Sequence, residues 1–335
     1  MRRLPYLLYM ILSLQLICCQ GQEQQPVNAT APMTSFSPIQ PTKALAHRPI
    51  FISNDHGENW EDASYNLPSD LQVSFLAQKG QELALASDNY GVFLSTNSRT
   101  NWNPIGESLP SKKINALHIE GQFIYAGVFK KGLYRTKDEG KNWESLNHDL
   151  PSLTVQSILT TGNRILAGTD DGVFILTQGE SSWQSTNLKT QVLSIYEYDK
   201  KLIAGTSEGT AISYDQGTTW EWIRREGAVH YTHNIGPRII ELVLSGDVVY
   251  SDNWGEQWHQ TLYGPRQGSY VYEIIDLGPY QLLSNNYGLH RSADQGQSWQ
   301  LIYPIENMAF FDLVLIDGTL YGGTRVWDEF RGRDN

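Results

Sequence analysis

The stretch Ser53-Asn54-Asp55-His56-Gly57-Glu58-Asn59-Trp60 introduces an eight-residue phrase, Ser/Thr-x-Asp-x-Gly-x-x-Trp. The phrase returns intact at Thr136-Asp138-Gly140-Trp143, at Ser213-Asp215-Gly217-Trp220 and at Ser292-Asp294-Gly296-Trp299. At Ser251-Asn253-Gly255-Trp258 an Asn replaces the Asp, and at Ser95-Asn97-Arg99-Trp102 the Gly is lost as well. In the copy ending at Trp183 only the Trp and its spacing survive. Successive Trp residues lie 37 to 42 positions apart. A fixed period of that length is the mark of a repeat architecture.

Working outward from each phrase, the sequence reads as four short strands. In the unit ending at Trp143 these are Ile114 to Ile119, Gln122 to Gly127, Gly132 to Arg135 and a strand opening at Trp143. Alternation of apolar and polar residues is clear in Val73-Ser74-Phe75-Leu76 and Val155-Gln156-Ser157-Ile158. Gly80, Gly121, Gly162 and Gly318 mark tight turns between first and second strands. Four strands every 40 residues or so predict an all-β, seven-bladed β-propeller. Only one strand, Pro49 to Ile52, precedes the first phrase, while Phe311 to Ile316 and Leu320 to Thr324 follow the last. The N- and C-terminal strands are therefore expected to share one blade, closing the ring without a free edge.

Within the phrase, Asp suits a turn whose backbone N–H groups need an acceptor, and Gly suits a positive φ. Ser or Thr ties the strand end to the turn, and Trp packs at the blade edge. Burying one Trp contributes about 2–3 kcal/mol. One carboxylate per turn is too few for Ca²⁺, so the reading is structural and no metal is expected.

These phrases make the chain resemble the Asp-box, or bacterial neuraminidase repeat (BNR), proteins. That group includes sialidases, xyloglucanases, the sortilin ectodomain and photosystem II stability and assembly factors. The resemblance implies the fold over residues 47–327 and leaves the function open. In architecture it is nearest the photosystem assembly factors, with Leu67-Pro68, Leu109-Pro110 and Leu150-Pro151 adding to the likeness. The sialidase resemblance implies an Arg-Ile-Pro phrase; Arg48-Pro49-Ile50 matches it only superficially, five residues before Ser53.

The chain has 335 residues, a net charge of −11, ten Trp, four Met and two Cys. An acidic balance excludes recognition of a phosphate backbone, so no nucleic-acid partner is expected. Arg2 and Arg3 precede an apolar run from Leu4 to Ile17, too short to span a bilayer and suited to a signal peptide over 1–19. Leu16-Ile17-Cys18-Cys19 resembles a bacterial lipobox with Cys19 as the lipidated residue. Residues 20–46, rich in Gln, Pro, Ser and Thr, read as a flexible spacer, and 328–335 as a polar tail. Both Cys lie in the signal segment, so the folded span is expected to stand without disulfides. The expected location is a bacterial cell envelope, by lipid anchor, or the periplasm or medium, with membrane contact only through the lipid.

The phrases mark one face of the ring, and the loops of the opposite face are where a ligand is expected. There the reading singles out Asp88, Tyr90, Lys130, Lys131, Asp170, Asp171, Glu208, Asn285, Tyr287, Arg325 and Trp327. The polar, aromatic connections 225–238 and 263–272 add His230, Tyr231, His233, Arg266 and Tyr270. Aromatics beside amides and charges suit a sugar or a peptide. The His230 and His233 pair lacks a nearby third metal ligand. No catalytic set and no cofactor motif is present. The expected function is a non-catalytic binding or assembly module for a glycan or protein. The alternative is a divergent glycoside hydrolase using Asp88, Asp170 or Glu208.

Overall fold

The computed structural model describes residues 48–96, 101–261, 270–296, 298–304 and 308–326. It contains 28 strands in seven four-stranded antiparallel sheets, and no helix among the described residues. The innermost strands, in order, are Val73–Lys79, Ile114–Glu120, Val155–Thr161, Val192–Tyr198, Val229–Ile235, Val271–Asp276 and Met308–Ile316. Each packs beside the next, and the last packs beside the first, so the sheets form a closed ring. The fold is a seven-bladed β-propeller. Among the described residues no helix is long and apolar enough to cross a membrane.

The seventh blade is built from both ends of the chain. Its inner strands are Met308–Ile316 and Thr319–Val326, and its outer strands are Ile50–Ser53 and Glu61–Asp62. The junction runs in continuous register from Ile50 opposite Gly323 to Ser53 opposite Leu320. Gly322 is required here: a Cβ at that position would lie 2.4 Å from the Phe310 ring. Phe310 in turn stacks on Trp60 at 4.3 Å between centroids.

The core is distributed between blades rather than gathered at one centre. One buried cluster joins Leu133 and Leu146 of the second blade to Val155, Ile158 and Trp183 of the third. Another joins Leu166 and Val173 of the third to Ile195, Leu202 and Trp220 of the fourth. The repeated phrase makes these seams. In its first copy Ser53 Oγ donates to Asp55 Oδ1 at 2.8 Å and accepts the Gly57 N–H at 2.9 Å. Asp55 accepts the Asn59 N–H at 2.9 Å, closing the turn. The same bonds recur from Thr136, Ser213, Ser251 and Ser292. Asn253 replaces Asp without loss, because its Oδ1 accepts the Gln257 N–H at 2.9 Å. The turn then seats its Gly against the preceding blade, as Gly217 does on Leu166. The decayed third copy has no such seat: nothing lies within 4 Å of a Cβ on Gly179, and a groove of about 580 Å³ runs beside it.

Candidate functional site

Every innermost strand carries a break in register near its start. The strand loses step with its neighbour between Val73 and Phe75, Ile114 and Ala116, Val155 and Ser157, and Val192 and Ser194. The same happens between Val229 and Tyr231, Val271 and Glu273, and Phe310 and Asp312. A bulge of this kind leaves one residue unpaired and re-aims its side chain. The seven bulged residues are Ser74, Asn115, Gln156, Leu193, His230, Tyr272 and Phe311. All seven line one cavity of about 630 Å³. That volume falls within the ~300–1,000 Å³ usual for small-ligand clefts.

The cavity opens on the face away from the phrases. Its rim includes Asp88 and Asn89, from the turn between the second and third strands of the first blade, and Arg325 and Val326 at the end of Thr319–Val326. Its walls differ by side. From the first to the third blade the bulges present a hydroxyl and two carboxamides, with Asn115 Nδ2 3.4 Å from Gln156 Oε1. From the fifth to the seventh they belong to an aromatic arc. His230 stacks on Tyr270 at 5.4 Å, Tyr270 meets Tyr272 at 5.3 Å, and Tyr272 meets Phe311 at 5.5 Å. The Arg325 guanidinium caps the arc, 5.1 Å from the Phe311 centroid.

Two acids stand one residue beyond the bulges of the sixth and seventh blades, and both line the cavity: Glu273 and Asp312. Burial pushes the Glu273 carboxyl well above its ordinary range, and the charge of Asp312 pushes the same way. Burial pushes Asp312 up to about 7, against the Leu76 backbone N–H that it accepts at 2.8 Å. That bond also ties the seventh blade to the first, just as Ser157 Oγ accepts the Ile195 N–H across the third and fourth. Burial holds the His230 imidazole down at about 4. Arg325 is ion-paired with Asp88, which also accepts from Ser74 Oγ at 2.7 Å.

Of the residues singled out by sequence, the structure brings His230, Tyr231, Tyr270, Arg325 and Asp88 to the cavity. The others occupy turns on the same face without lining it. Tyr90 donates to Asp70 Oδ1 at 2.7 Å, and Lys130 lies over the Phe129 ring at 5.1 Å. Asp170 accepts from Gln191 at 2.9 Å, the Asp171 N–H donates to Thr169 Oγ1, and Glu208 pairs with Arg225 at 2.7 Å. The Tyr287 N–H donates to Asn285 Oδ1 at 2.8 Å. Arg266, Trp327 and Cys19 lie outside the described residues.

One placement needs correcting. The segment 225–238 is not a connection: Val229–Ile235 is the innermost strand of the fifth blade. His230 and Tyr231 therefore reach the cavity from a strand, as does Tyr272 from Val271–Asp276. Polar and aromatic residues facing the axis hid the strand alternation. Sequence reasoning also missed Ser74, Asn115, Gln156, Leu193, Phe311, Glu273 and Asp312. The available signal was a Val or Ile immediately before the bulge in six of the seven blades. Among the described residues no cluster of three or more metal-ligating side chains occurs.

No protein-family model matches the chain, and no curated protein matches it in sequence. Solved structures share the fold. The extracellular domain of a one component system from B. thetaiotaomicron superposes with a TM-score of 0.63 at 14% identity, covering 78% of this chain. This chain spans 38% of the length of that protein. YCF48 bound to D1 peptide matches at 0.60 and 18% identity over 85% of this chain and 97% of its own. An ancestral GH74 enzyme matches at 0.54 and 18% identity over 70% of this chain and 39% of its own. At these identities the likeness extends to the propeller alone.

Proposed function

We propose that this chain is an exported, non-catalytic propeller of the Asp-box group that binds a glycan or protein partner in its central cavity. The ring of bulges supports the reading most. Seven phrases repeat one set of residue types, whereas seven equivalent bulges present seven different side chains to one solvent-open cavity. Variation at a repeated position is what ligand recognition on a fixed scaffold requires. His230, Tyr231, Tyr270 and Arg325 contact the ligand in this reading. Tyr90, Lys130, Asp170, Asp171, Glu208, Tyr287, Arg266 and Trp327 belong to the surrounding rim. A peptide on YCF48 and an extracellular location of another neighbour suit the same reading. Cys19 carries the lipid, residues 20–46 act as a tether, and the folded span is 47–327.

The test is binding of the full chain to glycan and peptide panels, repeated with Tyr272→Ala. Saturable binding that this substitution removes supports the reading; binding indifferent to it overturns it. Replacing Cys19 by Ser is expected to release the protein from membranes.

One observation favours a second reading, a glycoside hydrolase. Glu273 and Asp312 share the cavity and both have raised pKa values, the condition for holding a carboxylic acid protonated near neutrality. Asp88, Asp170 and Glu208 are weaker acids for the task, since each is already engaged by a neighbour. Turnover of a glycoside abolished by Glu273→Gln would replace the binding reading with this one.

A further inference from the structure

We infer that the cavity takes an uncharged pyranose glycan, its ring face laid on the aromatic arc and its hydroxyl rim met by the opposite amides. This deepens the proposed reading and rests on it. A pyranose has an apolar C–H face and a rim of hydroxyls that each donate and accept. The cavity has the complementary two-sidedness. On one side Tyr270, Tyr272 and Phe311 form consecutive ring contacts at 5.3 and 5.5 Å. On the other, Asn115 and Gln156 stand at the same bulge position in neighbouring blades.

Each carboxamide has two donors and an oxygen with two lone pairs. The contacts made within the protein leave most of that capacity unspent. Asn115 uses one donor, toward Gln156 at 3.4 Å, and Gln156 uses one donor, toward Asp170 at 3.3 Å. Amides placed this way suit vicinal hydroxyls, which ask for a donor and an acceptor side by side.

Charge sets the class of sugar. The cation at the mouth, Arg325, is committed to Asp88, and Asp88 is held further by Ser74. The remaining titratable lining groups include Glu273 and Asp312, which burial pushes toward their protonated forms, and His230, which burial keeps neutral. A carboxylate- or phosphate-bearing ligand meets no unengaged cation among the described lining residues, and its desolvation goes uncompensated. A neutral ligand loses nothing.

The experiment is an array of neutral and acidic oligosaccharides probed with the full chain, followed by calorimetry. The calorimetric probes are cellotetraose, maltotetraose and N-acetylchitotetraose, with sialyllactose and trigalacturonate as acidic counterparts. The expected result is binding to a neutral glycan and weaker binding to its acidic counterparts. Tyr272→Ala and Asn115→Ala are each expected to weaken it about tenfold or more. Both variants should keep a cooperative melting transition, and Glu180→Gln, on the opposite face, should bind unchanged. Absence of binding to any neutral glycan overturns the inference, as does tighter binding of the acidic probes. If a peptide binds instead and Tyr272→Ala abolishes it, the glycan inference falls while the pocket reading stands. Glycan binding that survives both variants overturns both.

Discussion

Trp102 in the first blade donates its indole N–H to the backbone oxygen of Ala63 in the seventh, 3.0 Å away. The bond crosses the seam where the two ends of the chain meet. Trp143, Trp183 and Trp258 make the same kind of bond to Ile105, Leu146 and Ile223 of their preceding blades. Trp60, Trp220 and Trp299 instead donate to the Gly of their own phrase. The indole thus serves two ends: its ring fills a seam, and its N–H either closes its own turn or staples two blades.

Separating those contributions is possible at Trp102, which is fully buried. Trp102→Phe keeps most of the ring and removes the donor, so it is expected to cost about 1–3 kcal/mol, including the oxygen left without its partner. Trp102→Ala also opens a cavity and is expected to cost about 3–5 kcal/mol. Denaturant melts of the two variants check this. Equal losses would mean that the hydrogen bond, and not the ring, carries the seam.

Gly217 tests how the phrase docks. Its φ is +88°, and a Cβ there would lie 2.4 Å from Leu166 Cδ2 in the preceding blade. Left-handed backbone costs an L-residue about 1–2 kcal/mol, and forced overpacking adds about 1–3 kcal/mol. Gly217→Ala is therefore expected to lower stability by about 2–5 kcal/mol in equilibrium unfolding. Gly179→Ala, whose Cβ would meet nothing within 4 Å, should show the conformational cost alone.

The shared seventh blade predicts a sharp dependence on its inner strands. A chain ended after Pro304 would leave Ile50–Ser53 without the partner that Thr319–Val326 provides. It would also bare the flanks of the first and sixth blades, which now pack on Met308–Ile316. Unpaired edges of that kind aggregate. The expected outcome is loss of a single cooperative melt; a truncated chain that melts like the full one would mean that closure adds little.

The architecture was legible because its signals are local and repeated. Asp138, Gly140 and Trp143 act within one turn, so covalent spacing alone displays them, and six further copies confirm the period. The cavity was less legible because a bulge steps outside the alternation that reveals a strand. Ser74, Leu193 and His230 occupy equivalent places and share no chemistry, so no residue type announces the position. Glu273 sits among Val271, Tyr272, Ile274 and Ile275, where an acid reads as a solvent-facing member of an ordinary strand. Only the ring geometry turns that side chain toward the axis.

Two sets of buried groups give the stability a definite pH profile. Glu241 and Asp312 are pushed up to about 7 by burial, and Glu273 is pushed well above its ordinary range. Each holds a proton in the folded chain where the unfolded chain has released it. Their contribution is full below about pH 4 and is lost as pH rises through 7. His118, His230 and His290 are held down at about 4 by burial. They stay neutral in the fold while the unfolded chain takes up protons below about 6.5, so their contribution is lost as pH falls from 6.5 toward 4. Between about pH 4.5 and 6.5 the two sets oppose each other; above 6.5 only the acids act. The melting temperature is expected to be nearly level from pH 5 to 6.5 and to fall toward pH 8.5. Glu241, wholly buried against Arg224 at 2.9 Å, isolates one part of that fall. Glu241→Gln should lower the melting temperature at neutral pH, because the guanidinium loses an ionised partner. It should also flatten the decline above pH 6.5. A decline unchanged in the variant would place the titration elsewhere, at Glu273 and Asp312.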